Sequence, residues 1–287
     1  RHFEIVTVPA AEPRTKPKAL TYALSAARGE FIVIYDAEDR PHPGQLREAF
    51  TRFRAAPCDL VCLQAPLIVT NAGASWISGL FSLEYSALFR GLLPMLARYH
   101  LPLPLGGTSN HFRTRVLQEV GGWDPFNVTE DADLGMRLYR LGYRAGVLER
   151  QTLEDAPTSL PVWIRQRTRW FKGWMQTWLV MMRNPKSLAA EMGLPAWFTF
   201  QILIGGMLVS SLLHPLVFVF LVNGAFAMLS APASGIPASV LILFVIDAIN
   251  IFGSYIAFVA LGITTMTHHE RSLVGPRWMG VPFYWLL

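Results

Sequence analysis

Two kinds of apolar pattern divide the chain. Up to about residue 160, short apolar runs alternate with segments whose apolar residues recur every three or four positions; beyond residue 190, long stretches are almost wholly apolar. Residues 3–8 read as a short strand and 9–17 as a proline-punctuated loop. Residues 18–28 predict a helix, with Leu20, Ala23, Leu24 and Ala27 on one face and Gly29 as its stop. Residues 31–35 are continuously apolar, the pattern of a parallel strand buried on both faces, and Asp36 closes the run. A helix at 43–55, a strand at 59–64, helices at 75–98 and 114–119, a helix from Thr129 to Leu141 and a strand at 143–148 continue the alternation. It predicts a layered α/β domain with a mainly parallel sheet. Thr129 is placed to cap its helix, with Glu130 and Asp131 favoured in the first turn by the helix dipole.

Between Met192 and Ile246 there is no Lys, Arg, Asp or Glu. A bilayer core of about 30 Å is crossed by about 20 apolar residues, so membrane spans are predicted at 196–222 and 237–262, and 281–287 reads as the start of a third. Asp247, inside the second span, is expected to face protein, water or a substrate path. The loop at 223–236 is uncharged, whereas the next carries His268, His269, Glu270, Arg271 and Arg277. By the positive-inside rule, that second loop and the N-terminal part are cytoplasmic. Ahead of the first span, Trp163, Trp170, Trp174, Trp178 and Met182 run along one helical segment with Arg165, Arg169 and Lys172 among them, the pattern of a helix lying in the membrane interface. The organisation read is therefore 1–160 a cytoplasmic α/β domain, 161–190 interfacial and 191–287 transmembrane.

The formal charge of +5 comes largely from basic residues just before the first span, which argues for a membrane face rather than nucleic acid. Cys58 and Cys62 have no Cys or His companions, so neither a disulfide framework nor a zinc site is expected, and both read as small buried hydrophobes. The chain opens inside a strand-like run and ends inside an apolar one, as expected of a piece lacking its N-terminal strands and cut at both ends.

Candidate chemistry gathers at three places. Asp36, Glu38 and Asp39 follow an apolar strand, and in open α/β sheets ligands sit beyond the carboxyl ends of the strands. Such a loop is either solvated or a cation site. Thr129-Glu130-Asp131 opens a helix, as a cap, as an acid/base site, or as both. Gln166-Arg167-Thr168-Arg169-Trp170 begins the Trp-rich segment. The three in this order, followed by membrane spans, resemble the processive family 2 glycosyltransferases, of which cellulose synthase is the best known. The resemblance covers nearly the whole chain and loosens towards its end.

The resemblance implies a GT-A-like, Rossmann-like domain incomplete at its N-terminus, and Mg²⁺ or Mn²⁺ held by Asp36 and Glu38. Glu38 stands where the family carries a second Asp, which leaves Asp39 as an alternative ligand. A hard cation neutralises a departing diphosphate. The resemblance makes Asp131 the base that takes the acceptor proton. It sets Gln166 and Trp170 at the acceptor sugar, Arg169 at the diphosphate, Lys16 near the donor, Thr108 and Ser109 beside the acceptor, and Glu130 among the substrate-binding groups. A sugar's apolar face stacks on an aromatic ring and a guanidinium grips phosphate in a fork. His111 reads as a structural histidine. The implied function is membrane-bound inverting transfer from a nucleotide sugar, a UDP-sugar in first place, to a growing β-linked polysaccharide or cell-envelope glycan in a bacterial inner membrane, with the catalytic part cytoplasmic. The rivals are a non-processive diacylglycerol glycosyltransferase and a catalytically silent scaffold or export subunit. No Phe-x-Val-Thr-x-Lys-Gly motif follows the second span and no Arg-x-x-x-Arg motif of a cyclic-di-GMP-binding domain is found, so neither processivity nor cyclic-di-GMP control is implied.

Overall fold

The computed structural model describes residues 4–230 and 237–286. Residues 4–9 carry no regular structure, against the strand expected at 3–8; Ile5 is 92% exposed, so this run has nothing to pack on. Helix α1 (Lys16–Leu24) starts two residues ahead of expectation because Pro17 suits a first turn. Then come β1 (Phe31–Ile34), β2 (Arg40–Pro41), α2 (Gln45–Ala55), β3 (Leu60–Gln64) and β4 (Leu67–Val69). Helix α3 (Trp76–Tyr85) opens on a Ser75–Ser78 capping box and runs through a π-helical segment, Ser86–Leu92, into α4 (Leu93–Arg98). Strand β5 (Asn110–Arg113), α5 (Thr114–Glu119), α6 (Glu130–Arg140), β6 (Arg144–Val147) and β7 (Thr152–Glu154) complete the α/β part. Acidic residues in the first turn of α6 and Arg137 and Arg140 in its last both suit its dipole.

The main sheet has the order β1-β5-β3-β6. Strand β5 lies antiparallel between β1 and β3, and only β3 and β6 form a parallel pair. This corrects the mainly parallel sheet expected from the alternation: β5 reads Asn-His-Phe-Arg, carries little apolar signal, and yet is inserted in the middle. Strand β1, expected to be buried on both faces, is half-buried over Phe31, Ile32 and Val33. A small second sheet, β2-β7-β4, flanks the first. The core between the main sheet and its helices joins Val61, Cys62 and Phe112 to Leu93, Leu96, Leu103, Trp123, Leu134 and Leu138. Cys62 is fully buried as expected, whereas Cys58 is exposed in the turn before β3.

Helix α7 (Leu160–Met181) leads through α8 (Pro185–Met192) and α9 (Leu194–Phe200) to a π-helical turn, Gln201–Gly206, and α10 (Met207–Leu229). Helix α11 (Ala238–Thr265) follows, then α12 (His268–Val274), a 3-10 segment, Gly275–Gly280, and α13 (Val281–Leu286). Two stretches, Leu194–Leu229 and Ala238–Thr265, are long and apolar enough to cross a membrane, with mean hydropathy 2.1 and only 17% and 11% of their most apolar windows buried. They extend past the spans read from sequence; residues 231–236 of the intervening loop lie outside the described residues.

The C-terminal end of α11 is fastened to the α/β part. A Cβ added at Gly262 would lie 2.8 Å from the Leu83 carbonyl oxygen, so only glycine permits this approach. Ser86 Oγ and Thr265 Oγ1 are 2.8 Å apart, and Arg90 grips Glu270 with both guanidinium nitrogens at 2.9 and 2.8 Å. Within α11, Asp247 is half-buried. The Trp stripe of α7 faces inward rather than outward as expected: Trp163 is buried against α3, while Trp174 and Trp178 pack on a cluster of Met136, Met181, Leu188 and Phe200. The large apolar side chains that α7 leaves exposed are Val162, Ile164, Met175, Leu179 and Val180, beside Arg165, Arg169 and Lys172. A helix with neighbours along one side buries its largest rings there, whatever its resemblance to an interfacial helix.

Candidate active site

The site is built at the end of β1. The backbone N–H of Asp36 donates to Asp39 Oδ2 at 2.8 Å and to Thr108 Oγ1 at 3.1 Å, and the Thr108 hydroxyl in turn donates to Asp39. Asp39 and Thr108 thus brace the turn. The Asp36 carboxylate stays half-exposed and accepts from the ammonium of Lys16, which also donates to Gly107 O at 2.8 Å. Glu38 is exposed and makes no described hydrogen bond or ion pair. Of the two alternative partners for Asp36, Asp39 is therefore engaged within the protein and Glu38 is not.

The loop carrying Gly106 to Ser109 is held from beneath by Gln64. Its amide donates to Ala65 O and Thr108 O, each at 2.9 Å, and its carbonyl accepts from Gly106 N at 2.8 Å. Ser109 takes a left-handed φ of 59°, donates its N–H to Ile34 O at 2.7 Å and its hydroxyl to Thr152 at 2.6 Å. It is fully buried, so it serves the loop rather than the open face of the site. His111 is buried between Tyr35 and Leu63 O, and burial pushes its pKa down to about 4, a neutral structural imidazole.

Asp131 is brought to the same place by α6. Its Oδ2 lies 3.5 Å from where a Gly107 Cβ would stand, and its Oδ1 accepts from Trp123 Nε1 at 3.0 Å. Burial, with Glu130 beside it, pushes the Asp131 pKa up to about 8 against the pull of Lys16 and the Trp123 hydrogen bond. Burial also raises Glu130, while its backbone hydrogen bond, Lys16 and Arg169 lower it. Thr129 does not cap α6 through its side chain, contrary to expectation; its hydroxyl turns to Asn127 Oδ1 at 3.3 Å. Helix α7 crosses at this turn, and it does so over Gly173, where an added Cβ would lie 2.5 Å from Thr129 Oγ1 and 2.8 Å from its backbone nitrogen. Asn127 Nδ2 donates to Thr177 Oγ1 at 2.8 Å one helical turn further on.

The Gln-x-x-Arg-Trp residues lie on α7 just ahead of that crossing. Arg169 is exposed, makes no described ion pair, and acts electrostatically on Glu130. Gln166 Oε1 is buried without a hydrogen-bond partner among the described residues, as is Asn110 Oδ1. Trp170 is half-buried, 6.2 Å from Phe81 between ring centroids, with the Arg167 guanidinium 4.9 Å from its own.

Sequence reasoning missed Glu154 at the end of β7. Burial first, and then Asp39, Asp36, Glu38 and Asp155, push its pKa up to about 8. The signal was present: Thr152-Leu153-Glu154-Asp155 ends a short strand on acids, as β1 does at Asp36. Among these carboxylates Lys16 pairs with Asp36 and Arg40 with Asp155, and the acids left over suit a divalent cation. Among the described residues no three His, Cys, Asp or Glu side chains converge on one point. Asp36 and Glu38 would thus supply two carboxylates and leave the remaining positions to phosphate and water, the usual manner for Mg²⁺.

A mixed sheet with a strand-end carboxylate, a buried helix-start carboxylate and a crossing helix make up a GT-A-like glycosyltransferase fold. The chain belongs to glycosyl transferase family group 2, which its residues 31–267 match. It is 25% identical over 170 residues to the Bacillus subtilis protein named "Probable glycosyltransferase YdaM", covering 59% of this chain and 40% of that one. It is 25% identical over 209 residues to β-monoglucosyldiacylglycerol synthase of Synechocystis, covering 70% of this chain and 42% of the synthase. The chain thus spans about two fifths of these relatives. The mannosyltransferase PcManGT from Pyrobaculum calidifontis, solved with GDP-Man and Mn²⁺, superposes with a TM-score of 0.51 at 18% identity, covering 88% of this chain and 66% of that one, a likeness of fold.

Proposed function

We propose that this glycosyltransferase is anchored in a bacterial cell membrane by α10 and α11 and transfers a sugar, with inversion, from a nucleotide-diphosphate sugar to a growing β-linked glycan. The observation that carries the reading is the meeting of Asp36, Lys16, Asp131 and the Arg169 helix at one loop, beside two long apolar helices of which α11 docks on α3. The Asp131 carboxylate takes the proton of the acceptor hydroxyl as its oxygen bonds to the anomeric carbon. The bond from that carbon to the diphosphate breaks, and the diphosphate leaves with the electron pair. Lys16 and Arg169 meet its charge, while Trp170 and Gln166 hold the acceptor. A Mg²⁺ or Mn²⁺ ion on Asp36 and Glu38 would add its charge to the diphosphate side. UDP is the nucleotide expected from the family resemblance; the GDP-Man bound by the structural neighbour makes a GDP-sugar the competing donor. The active face is cytoplasmic, where nucleotide sugars are made.

A second acceptor, diacylglycerol, is favoured by the likeness to the Synechocystis synthase over 70% of this chain. Both readings share one test. In the full-length protein, Asp131→Asn keeps nucleotide binding and lowers transfer by about 10²-fold or more. Transfer at the wild-type rate by the Asn variant removes Asp131 as the base. Sizing the labelled product then separates polymer from glycolipid.

A further inference from the structure

The Gln-x-x-Arg-Trp segment contains a second arginine whose surroundings are more elaborate than those of the first. Arg167 Nη1 donates to Glu84 Oε1 at 2.7 Å, and Nη2 donates both to Glu84 Oε2 and, at 2.8 Å, to the Tyr284 hydroxyl. That hydroxyl also accepts from Trp163 Nε1 at 3.2 Å and donates to Glu84 Oε2 at 2.6 Å, so every hydrogen-bonding capacity it has is used. Around the guanidinium stand Trp170 at 4.9 Å, Trp163 at 5.2 Å, Phe81 at 5.4 Å and Tyr284 at 5.7 Å. Three separate parts of the chain meet here: α3, α7 and, beyond both apolar helices, α13.

Stability alone does not account for this arrangement. Replacing a buried ion pair by well-packed apolar groups is often neutral or stabilising. Moreover, Arg167 Nε is buried with no hydrogen-bond partner, so the guanidinium is not oriented to make the most hydrogen bonds. Its orientation sets its carbon nearest the ring of Trp170. That ring is only half-buried, and its indole nitrogen makes no described hydrogen bond, so the ring's attitude depends on what lies against it.

We propose that Tyr284 is a positioning residue of the transfer site: with Glu84 it fixes Arg167 against Trp170 and so sets the ring on which the acceptor sugar stacks. The inference rests on the reading of Trp170 as the acceptor platform. It links acceptor geometry to the seating of the C-terminal helices, because Tyr284 reaches the site only when α13 packs beneath α7. Donor contacts, made by Asp36, Lys16 and Arg169, lie outside this link.

The test uses the full-length protein in phospholipid vesicles, with UDP-glucose or GDP-mannose as donor. Cellotetraose in solution, or dioleoylglycerol in the vesicle, serves as acceptor. Half-saturation is measured separately for donor and acceptor. Tyr284→Phe keeps the ring and removes only the hydroxyl; Arg167→Lys keeps the charge and removes the fork. Each is expected to raise acceptor half-saturation about tenfold in the folded protein while donor half-saturation stays within about twofold. Combined with Trp170→Ala, Tyr284→Phe adds nothing further, because both act on the same surface. If Trp170→Ala weakens acceptor saturation and Tyr284→Phe does not, the inference is overturned and the Trp170 reading stands. If neither does, the Trp170 reading itself fails and the inference with it. Equal weakening for donor and acceptor, or full additivity with Trp170→Ala, makes Tyr284 a stability residue and overturns the proposal.

Discussion

Gly173→Ala sets two effects of opposite sign against each other. Alanine is favoured over glycine inside a helix by about 1 kcal/mol, so by local propensity the variant is stabilising. The crossing says otherwise. The new Cβ would stand 2.5 Å from Thr129 Oγ1, 2.6 Å from its Cγ2 and 2.8 Å from its backbone nitrogen. Carbon contacts settle at roughly 3.5–4.0 Å, so α7 and the start of α6 must separate by about 1 Å. A hydroxyl can rotate away, but a backbone nitrogen cannot, and overpacking of this kind costs about 1–3 kcal/mol. The net expectation is a destabilisation of up to about 2 kcal/mol. The larger consequence is kinetic, because Thr129 directly precedes Glu130 and Asp131, and a displacement of about 1 Å at a reacting group lowers turnover by about 10²-fold. The assay is kcat and thermal midpoint on the full-length protein, with Gly253→Ala as control, since a Cβ at Gly253 meets nothing within 4 Å. A Gly173→Ala protein as stable and as active as the control refutes the account of the crossing.

Other outcomes follow from the site. Because burial holds Asp131 protonated up to about pH 8, kcat/KM should fall about tenfold per unit as pH drops below that value; a flat profile between about pH 6 and 9 contradicts the base assignment. Stability should move the opposite way. A carboxyl whose pKa is raised on folding contributes fully below its ordinary range near 4 and loses that contribution as pH rises towards 8, so Asp131→Asn should flatten the decline in thermal midpoint over that window. Asp36→Ala should abolish the gain in nucleotide affinity that Mn²⁺ confers on the full-length protein; an equal gain in wild type and variant, by calorimetry, removes Asp36 as a ligand. Topology is checked with the native cysteines replaced by Ala: a cysteine at Ser272 should label from the cytoplasmic side, and labelling from outside reverses the membrane orientation.

Legibility in the sequence followed the range of the interactions. The position of Asp36 just past a strand end could be read because a continuous apolar run leads up to it. The position of Asp131 in a first helical turn could be read because a helix start is a local event. The antiparallel insertion of β5 could not, since Asn110-His111-Phe112-Arg113 owes its place to partners on β1 and β3 and not to its own pattern. The inward turn of the Trp stripe was hidden for a similar reason. An amphipathic pattern says which face is apolar but not whether lipid or protein covers it, and here Gly173 and Thr177 admit the start of α6 instead. Gln64 supports the Gly106 loop from 42 residues away, and Arg167 meets partners 83 and 117 residues distant. No spacing rule brings such pairs together before the fold is known.

The fastening of α11 to α3 bears on how this enzyme can be handled. Stopping the chain near residue 190 to obtain a water-soluble catalytic half looks natural from hydropathy. Such a cut removes Glu270 and strands Arg90, whose side chain is only 19% exposed, and breaking a buried pair by loss of one partner costs about 3–5 kcal/mol. It also strips the cover from Leu83 where Gly262 now presses on it. The cut is in the wrong place to give a stable soluble protein. A redesign would have to replace Arg90 with an uncharged side chain and rebuild the outer face of α3 with polar ones. Otherwise the enzyme is better kept whole, in detergent or lipid.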